Sequence, residues 1–449
     1  MDSVRVPRGG ILRALTVLAV VTAGAGAAAA PAVARTDPGQ INGWFNDLTV
    51  GAPGAPGRTA PLSLTSTGAT DPRVTVDVTG LTGVVTASFP DWCVAEGTSV
   101  TCPMPPGATP DEYGTVNGIV PVVFRAAPGA VDGATGTLDY TLRAEGLEPR
   151  TQQATISVRS GPDLVDLVDE YVPGTEVGDV RDVPVVVVNA GDQPVEDLRV
   201  TFRFPVGLLP ASYRNCRYGT DTVLATVVVC TLRGTFAPGI RHELRHGFTT
   251  TVGPAALGDK RISQFVEPRA TAGPLPGNVR LTRREADRAL RLRPVGEPLD
   301  PVTGNGAGGG TYLRDIRGAF DIVAEGATVT GAVGDTVRVT VGIRNDGPGV
   351  PDDTVSGGHA GAFIFTPPAG VTVLARPTGC GPTGDDEGGA PTAWVCYQGT
   401  VFPAGQSFTA PFDLRIDGPA GAPGEVRVYC EYPRPDDNPA NNAAPVTLG

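Results

Sequence analysis

The sequence predicts an all-β chain built from tandem antiparallel sandwiches with little helix. Three observations carry that reading. Short segments alternate apolar and polar residues at period two, as half-buried strands do. Val74, Val76 and Val78 alternate with Thr75, Asp77 and Thr79. Leu198, Val200, Phe202 and Phe204 alternate with Arg199, Thr201 and Arg203, and Val337, Val339, Val341 and Ile343 with Arg338, Thr340 and Arg344. Second, a unit recurs three times: a cysteine pair bridged by a loop, then a Pro-Gly turn and another strand. Its cysteines are Cys93 and Cys102, Cys216 and Cys230, and Cys380 and Cys396. Third, helical text is scarce. The best helix candidate is the capping-box pattern at Thr282-Arg283-Arg284-Glu285, with a run to Leu290, too short to stand alone.

Residues 1–34 read as a secretory signal. Arg5, Arg8 and Arg13 form a basic start, Ala14 to Ala30 is apolar and small, and Ala32-Val33-Ala34 is an A-x-A cleavage site. Pro31 and the Ala/Gly content argue against a membrane anchor, so no membrane insertion is expected after signal removal. Lys+Arg 35 against Asp+Glu 47 gives a net charge of −12. That excludes a general nucleic-acid or anionic-membrane binder. Lys260 is the only lysine.

Module one spans 35–160. Its strand text runs through Val74–Val78, ends at Phe89-Pro90, and makes a hairpin with Glu96-Gly97 at the tip. Leu138, Tyr140 and Leu142 alternate again, and Ile156 and Val158 close the module. Module two spans 161–296. Val185 to Val188 is a continuous apolar run turned by Asn189-Ala190-Gly191. Pro205 stops the strand that holds Phe202 and Phe204, and Phe248 to Val252 resumes the sheet. Residues 297–310, with Pro298, Pro301 and the glycines from Gly304 to Gly310, read as a flexible linker. Module three spans 311–449. Asn345-Asp346-Gly347 takes the place of Asn189-Ala190-Gly191, and Phe363-Ile364-Phe365 that of Phe202-Arg203-Phe204. Ala440-Asn441-Asn442-Ala443 aligns with Ala286-Asp287-Arg288-Ala289. Features in the same order mark divergent repeats.

Val341 to Pro348 (VGIRNDGP), the Phe-Pro strand end, the tryptophan beside the cysteine pair, and Asp437 to Ala443 (DNPANNA) carry a resemblance. The chain resembles a bacterial surface-protein repeat known as a domain of unknown function, close to the cell-adhesion-related domain found in bacteria. The resemblance implies immunoglobulin-like sandwiches in an extracellular, multi-module protein, and it brings no catalytic residue. One lysine amid abundant Ala, Gly, Pro and Arg suits a GC-rich actinobacterium.

Behind a secretion signal the cysteines are expected as three intramodule disulfides, Cys93–Cys102, Cys216–Cys230 and Cys380–Cys396. Cys430 is left as a buried free thiol. Trp92 and Trp394 are expected to pack on the disulfides. His242-Glu243-Leu244-Arg245-His246 matches the H-E-x-x-H zinc-peptidase signature, with Glu267 as a tempting third ligand. The signature needs a helix. Ile240, His242, Leu244, His246 and Phe248 read instead as one strand face, on which the histidines lie too far apart to share a zinc ion. No cofactor or metal is therefore expected, and no catalytic residue. His359 falls in a loop. Acidic clusters at Asp385-Asp386-Glu387 and Asp436-Asp437-Asn438 carry oxygens that suit calcium but read as turns.

Arg280, Arg283, Arg284, Arg288, Arg291 and Arg293 form a basic stripe fitting teichoic acid or another anionic wall polymer. The expected function is a secreted, non-enzymatic structural or adhesive scaffold, extracellular or loosely wall-associated. Its expected partner is a cell-wall polymer or another surface protein. The alternatives are a soluble glycan- or peptide-binding protein, working through loops near Asp385 or Arg283, and a zinc metallopeptidase.

Overall fold

A computed structural model describes residues 39–275, 279–304, 306–354, 357–383, 391–429 and 436–449. The expected signal segment, Cys430 and the cluster at Asp385-Asp386-Glu387 lie outside the described residues.

Module one holds β1 (Gln40–Trp44), β2 (Leu48–Gly51), β3 (Arg58–Thr67), β4 (Thr70–Asp77), β5 (Val85–Ser88), β6 (Val94–Glu96), β7 (Ser99–Pro103), β8 (Thr115–Ala126), β9 (Thr135–Glu145) and β10 (Arg150–Arg159). One sheet runs β1-β3-β8-β5 and the other β2-β10-β9-β4-β7-β6. Alternation along these strands sends Leu62, Leu64, Val120, Phe124, Leu138 and Tyr140 between the sheets.

Module two holds β11 (Leu164–Asp166), β12 (Asp169–Val172), β13 (Val180–Val183), β14 (Val186–Asn189), β15 (Val195–Phe204), β16 (Leu208–Pro210), β17 (Cys216–Thr220), β18 (Thr226–Phe236), β19 (Arg241–Leu244), β20 (Phe248–Val252), β21 (Gly258–Pro268), β22 (Leu292–Pro294), β23 (Val302–Thr303) and β24 (Gly308–Ile316). Its larger sheet runs β12-β24-β21-β15-β18-β17. The facing layer is split into β11-β14-β19-β22 and β13-β20-β16.

Module three holds β25 (Ile322–Glu325), β26 (Ala327–Val329), β27 (Thr336–Asn345), β28 (Ala362–Thr366), β29 (Val371–Ala375), β30 (Cys380–Pro382), β31 (Trp394–Tyr397), β32 (Ser407–Ile416), β33 (Gly424–Val428) and β34 (Ala443–Leu448). Its sheets run β25-β27-β32-β29 and β26-β34-β33-β28-β31-β30. Lettered in chain order, the first is A-B-E-D and the second is A′-G-F-C with a hairpin added at the C edge. That is the strand order of an immunoglobulin sandwich. Module one repeats it strand for strand. The chain is therefore all-β, with immunoglobulin-like modules in tandem.

The linker expectation is corrected. Gly308–Ile316 is the G strand of module two, paired with β21 on one side and β12 on the other. Gly309 and Gly310 answer crowding rather than flexibility. A Cβ on Gly309 would sit 2.6 Å from Asp166 Cγ and 2.7 Å from the Val168 carbonyl, where the first strand crosses between sheets. Module two thus closes near Ile316 and module three begins just after it. Upstream, β23 pairs in parallel with the start of β3 in module one. Val302 and Leu299 pack with Val165, Val188 and Ala190. Asp300 accepts from the Gly57 N–H (2.9 Å) and from Arg125, and Arg58 pairs with Asp163. The expected linker is a strap across the first junction.

The second junction is also packed. Leu257 of module two sits in the core of module three. The Val350 N–H donates to the Ala255 carbonyl (3.0 Å). Lys260 on β21 reaches Asp352 of module three at 3.2 Å, with side chains 1% and 4% exposed. Burial lowers the lysine's pKa against the opposing pull of the Asp352 carboxylate. The acidic cluster at the end of module three ties down that module's own first strand. Asp436 and Asp437 accept from the Ile322 and Phe320 N–H groups at 3.1 and 2.9 Å.

The Asn-x-Gly motif also has a structural reason. Asn189 and Asn345 are buried at the ends of equivalent strands. Each donates its side-chain amide to two carbonyls, Gln193 and Phe236 in module two and Gly349 and Phe402 in module three. Each oxygen accepts the N–H two residues on, from Gly191 and Gly347. One side chain thereby satisfies the turn that leaves the strand.

Candidate functional site

All three disulfides form at the C-edge hairpins, with Cα separations of 4.3, 4.0 and 4.0 Å, and Cys93 sits just before β6. Cys216 lies directly opposite Cys230, and Cys380 opposite Cys396. Trp394 packs edge-on to Phe412 in the core beside its disulfide, and Trp92 packs at the margin of module one's core.

The H-E-x-x-H residues sit on extended chain. His242 is on β19, its neighbours in register being Val187 and Pro294. It is buried against the Phe236 ring at 4.8 Å, and its Nδ1–H donates to the Ile240 carbonyl at 3.0 Å. Burial lowers its pKa below the ordinary imidazole value, against the bond to the Ile240 carbonyl. Glu243 pairs with Arg241. The expected unbroken strand face is corrected: β19 ends at Leu244, residues 245–247 bend outward, and His246 is exposed. Glu267 accepts from Arg199 Nε at 2.8 Å. Among the described residues no three His, Cys, Asp or Glu side chains are grouped to hold a metal.

The stripe of arginines gathers more than its own segment. Between β21 and β24, residues 269–307 make an excursion that neither other module has. The helix expected from Thr282 to Leu290 does not form, because the backbone groups it would use are taken by neighbouring strands. Thr282 and Tyr218 exchange both N–H bonds at 2.8 Å, Arg214 N–H donates to the Arg288 carbonyl, and Arg245 N–H to the Arg291 carbonyl. Asn215 clamps Leu290 through its side-chain oxygen (2.9 Å) and amide (3.1 Å). The alignment of Ala286–Ala289 with Ala440–Ala443 is corrected too. The latter stretch leads directly into β34, whereas the former lies on the excursion, well before β24.

The excursion and the disulfide hairpin wall an open cleft of about 1360 Å³. Nine arginines line it: Arg199, Arg214, Arg217, Arg233, Arg245, Arg269, Arg283, Arg291 and Arg293. No carboxylate is among the lining residues. Arg199 and Arg269 have ion-pair partners, Glu267 and Asp197. The other seven have none among the described residues. Val229, Leu275, Leu281, Leu290 and Leu292 supply an apolar floor. Apart from the lining residues, Arg284 lies over the ring of the core residue Tyr218 at 4.3 Å, and burial raises the Tyr218 pKa. Arg283, Arg291 and Arg293 stand close together in the sequence. Arg199, Arg214, Arg217, Arg233, Arg245 and Arg269 carry no signal in the sequence, because only pairing of distant segments brings them there.

No family model and no curated protein matches this chain. Among solved structures, Dpr2 Ig1-Ig2 in complex with DIP-Theta Ig1-Ig3 aligns over 92% of this chain and 99% of that one, at 10% identity and a TM-score of 0.25. At that score the alignment adds nothing to the strand order, which already defines the fold.

Proposed function

We propose that this chain is a secreted, non-enzymatic interaction scaffold whose module two presents an arginine cleft to an anionic partner. One observation carries the reading: seven guanidinium groups without carboxylate partners among the described residues converge on one cleft of a chain whose net charge is −12. Like charges so gathered repel one another, and a bound anion relieves that repulsion. Arginine suits the task because its planar fork gives paired N–H donors to oxyanions and stays charged. Three disulfides fit an oxidising, extracytoplasmic setting. The two packed junctions support a frame that holds the cleft at a fixed place between modules one and three.

Chromatography on phosphocellulose tests this. The wild-type protein, though acidic overall, should be retained at low salt and elute as salt rises. The double variant Arg214→Glu/Arg283→Glu should flow through with its circular dichroism unchanged. Flow-through of the wild type at low salt would refute the reading.

A further inference from the structure

Resting on that reading, we infer that the cleft takes a linear phosphodiester polymer with an aliphatic backbone, of the polyol-phosphate class, rather than a nucleic acid or an anionic glycan. Three features point there.

The first is how this protein satisfies a carboxylate. Arg338 grips Asp413 with two bonds, at 2.7 and 3.0 Å, and one guanidinium completes the pair. The cleft instead gathers arginines from two separate segments of the chain. Arg217 and Arg233 come from the hairpin, and Arg283, Arg291 and Arg293 from the excursion. A tetrahedral phosphate offers oxygens in more than one plane and accepts guanidinium groups from both sides.

The second is the floor. Among the described residues that line the cleft none is Trp, Tyr, Phe or His. Single-stranded nucleic acids are held largely by stacking bases on aromatic rings, and this cleft has no ring to offer. Its leucines and valine match methylene and methine groups between charges instead.

The third is reach. The cleft is open, and its volume exceeds the usual range for a small-molecule site, about 300–1,000 Å³. A chain segment fits it better than a single small anion.

Fluorescence anisotropy with labelled poly(glycerol phosphate), oligo-dT, heparin and polyglutamate, matched for charge number, tests the inference on the full-length secreted protein. Poly(glycerol phosphate) should bind at least about tenfold more tightly than the other three. Its affinity should fall linearly on a log–log plot against salt. Arg217→Gln/Arg291→Gln should lower the magnitude of that slope by about 2, one for each lost phosphate contact. Leu281→Ser, which keeps every charge, should weaken poly(glycerol phosphate) while leaving polyglutamate unchanged. Equal binding of all four polymers, or preference for oligo-dT or heparin, would overturn this inference and leave the anion-binding reading standing. Binding of none of them at low salt would overturn both.

Discussion

Modules one and two use the same sandwich to different ends. In module one the connection between the last two strands is residues 146–149, a tight turn. In module two the corresponding connection is residues 269–307. Those extra residues do three things in sequence. They wall the arginine cleft, they strap module one through Val302 and Asp300, and they deliver the glycine-bearing strand that completes module two's own sheet. Module three keeps the plain architecture and contributes Asp352 to the second junction. The comparison teaches that the sandwich core is generic here. What distinguishes module two is one insertion whose apolar residues are spent on docking and whose arginines face outward.

The largest effect should come from breaking the buried pair at the second junction. Lys260→Ala leaves the buried Asp352 carboxylate without its ammonium partner and should destabilise by about 3–5 kcal/mol, read as a lower urea midpoint. Lys260→Met with Asp352→Leu removes both charges and should recover most of that loss. If the double variant is no more stable than the single one, the pair is not the origin of the effect. The same residue offers a chemical probe. Lys260 is the chain's one lysine and 1% exposed, so its amine should resist acylation in the folded protein and react once the junction opens.

Next comes the buried asparagine that modules two and three share. Asn345→Ala leaves the Gly349 and Phe402 carbonyls and the Gly347 N–H without their side-chain partner. A loss of about 2–3 kcal/mol is expected, and Asn189→Ala should cost a similar amount in module two. A calorimetric scan resolves which module's transition moves. Equal shifts in every transition would mean the modules do not unfold separately.

A pH effect, smaller than these losses when read over one pH unit, should belong to module two. Burial pushes Asp166 from 3.8 up to about 7, against the N–H of Val168 that donates to it. Its second oxygen has no hydrogen-bond partner among the described residues. The folded pKa exceeds the unfolded one, so between those two values the native state holds the extra proton. The contribution is full below the unfolded pKa and is lost as pH rises through about 7. Urea stability should fall with pH across that window by up to about 1.4 kcal/mol per unit. Asp166→Asn should flatten the slope, and an unchanged slope in that variant would remove Asp166 as its source.

The smallest effect is expected at the peptidase-like motif. Glu243 makes a partly exposed pair with Arg241 on a strand, so Glu243→Ala should change stability by no more than about 1 kcal/mol. Zinc bound at one per chain by elemental analysis, and lost in Glu243→Ala, would contradict that geometry.

Much of the frame was legible from residue order alone. Period-two alternation places Val200, Phe202 and Phe204 inward whatever lies opposite, because a strand's side chains must alternate. The cysteine repeats mark the hairpins, since each pair closes within one short stretch of chain. The extended chain at His242 is legible for the same reason, in the alternation from Ile240, which carries no mark of the bend at residues 245–247.

Tertiary structure alone decided the rest. Glycines from Gly308 to Gly310 carry no side-chain pattern, so a paired inner strand and a loose tether spell the same text. Only the pairing partners, and the approach of Asp166 and Val168 to Gly309, tell them apart. The Thr282 capping box gave way because Tyr218 and Asn215 offered its backbone better-placed partners from a distant hairpin. The cleft followed the same rule. Arg217 and Arg291 are far apart in the chain and share no motif. Long-range pairing of the excursion with the hairpin and β19 brings them to one cleft, and no local reading encodes a contact whose two halves are specified by different strands.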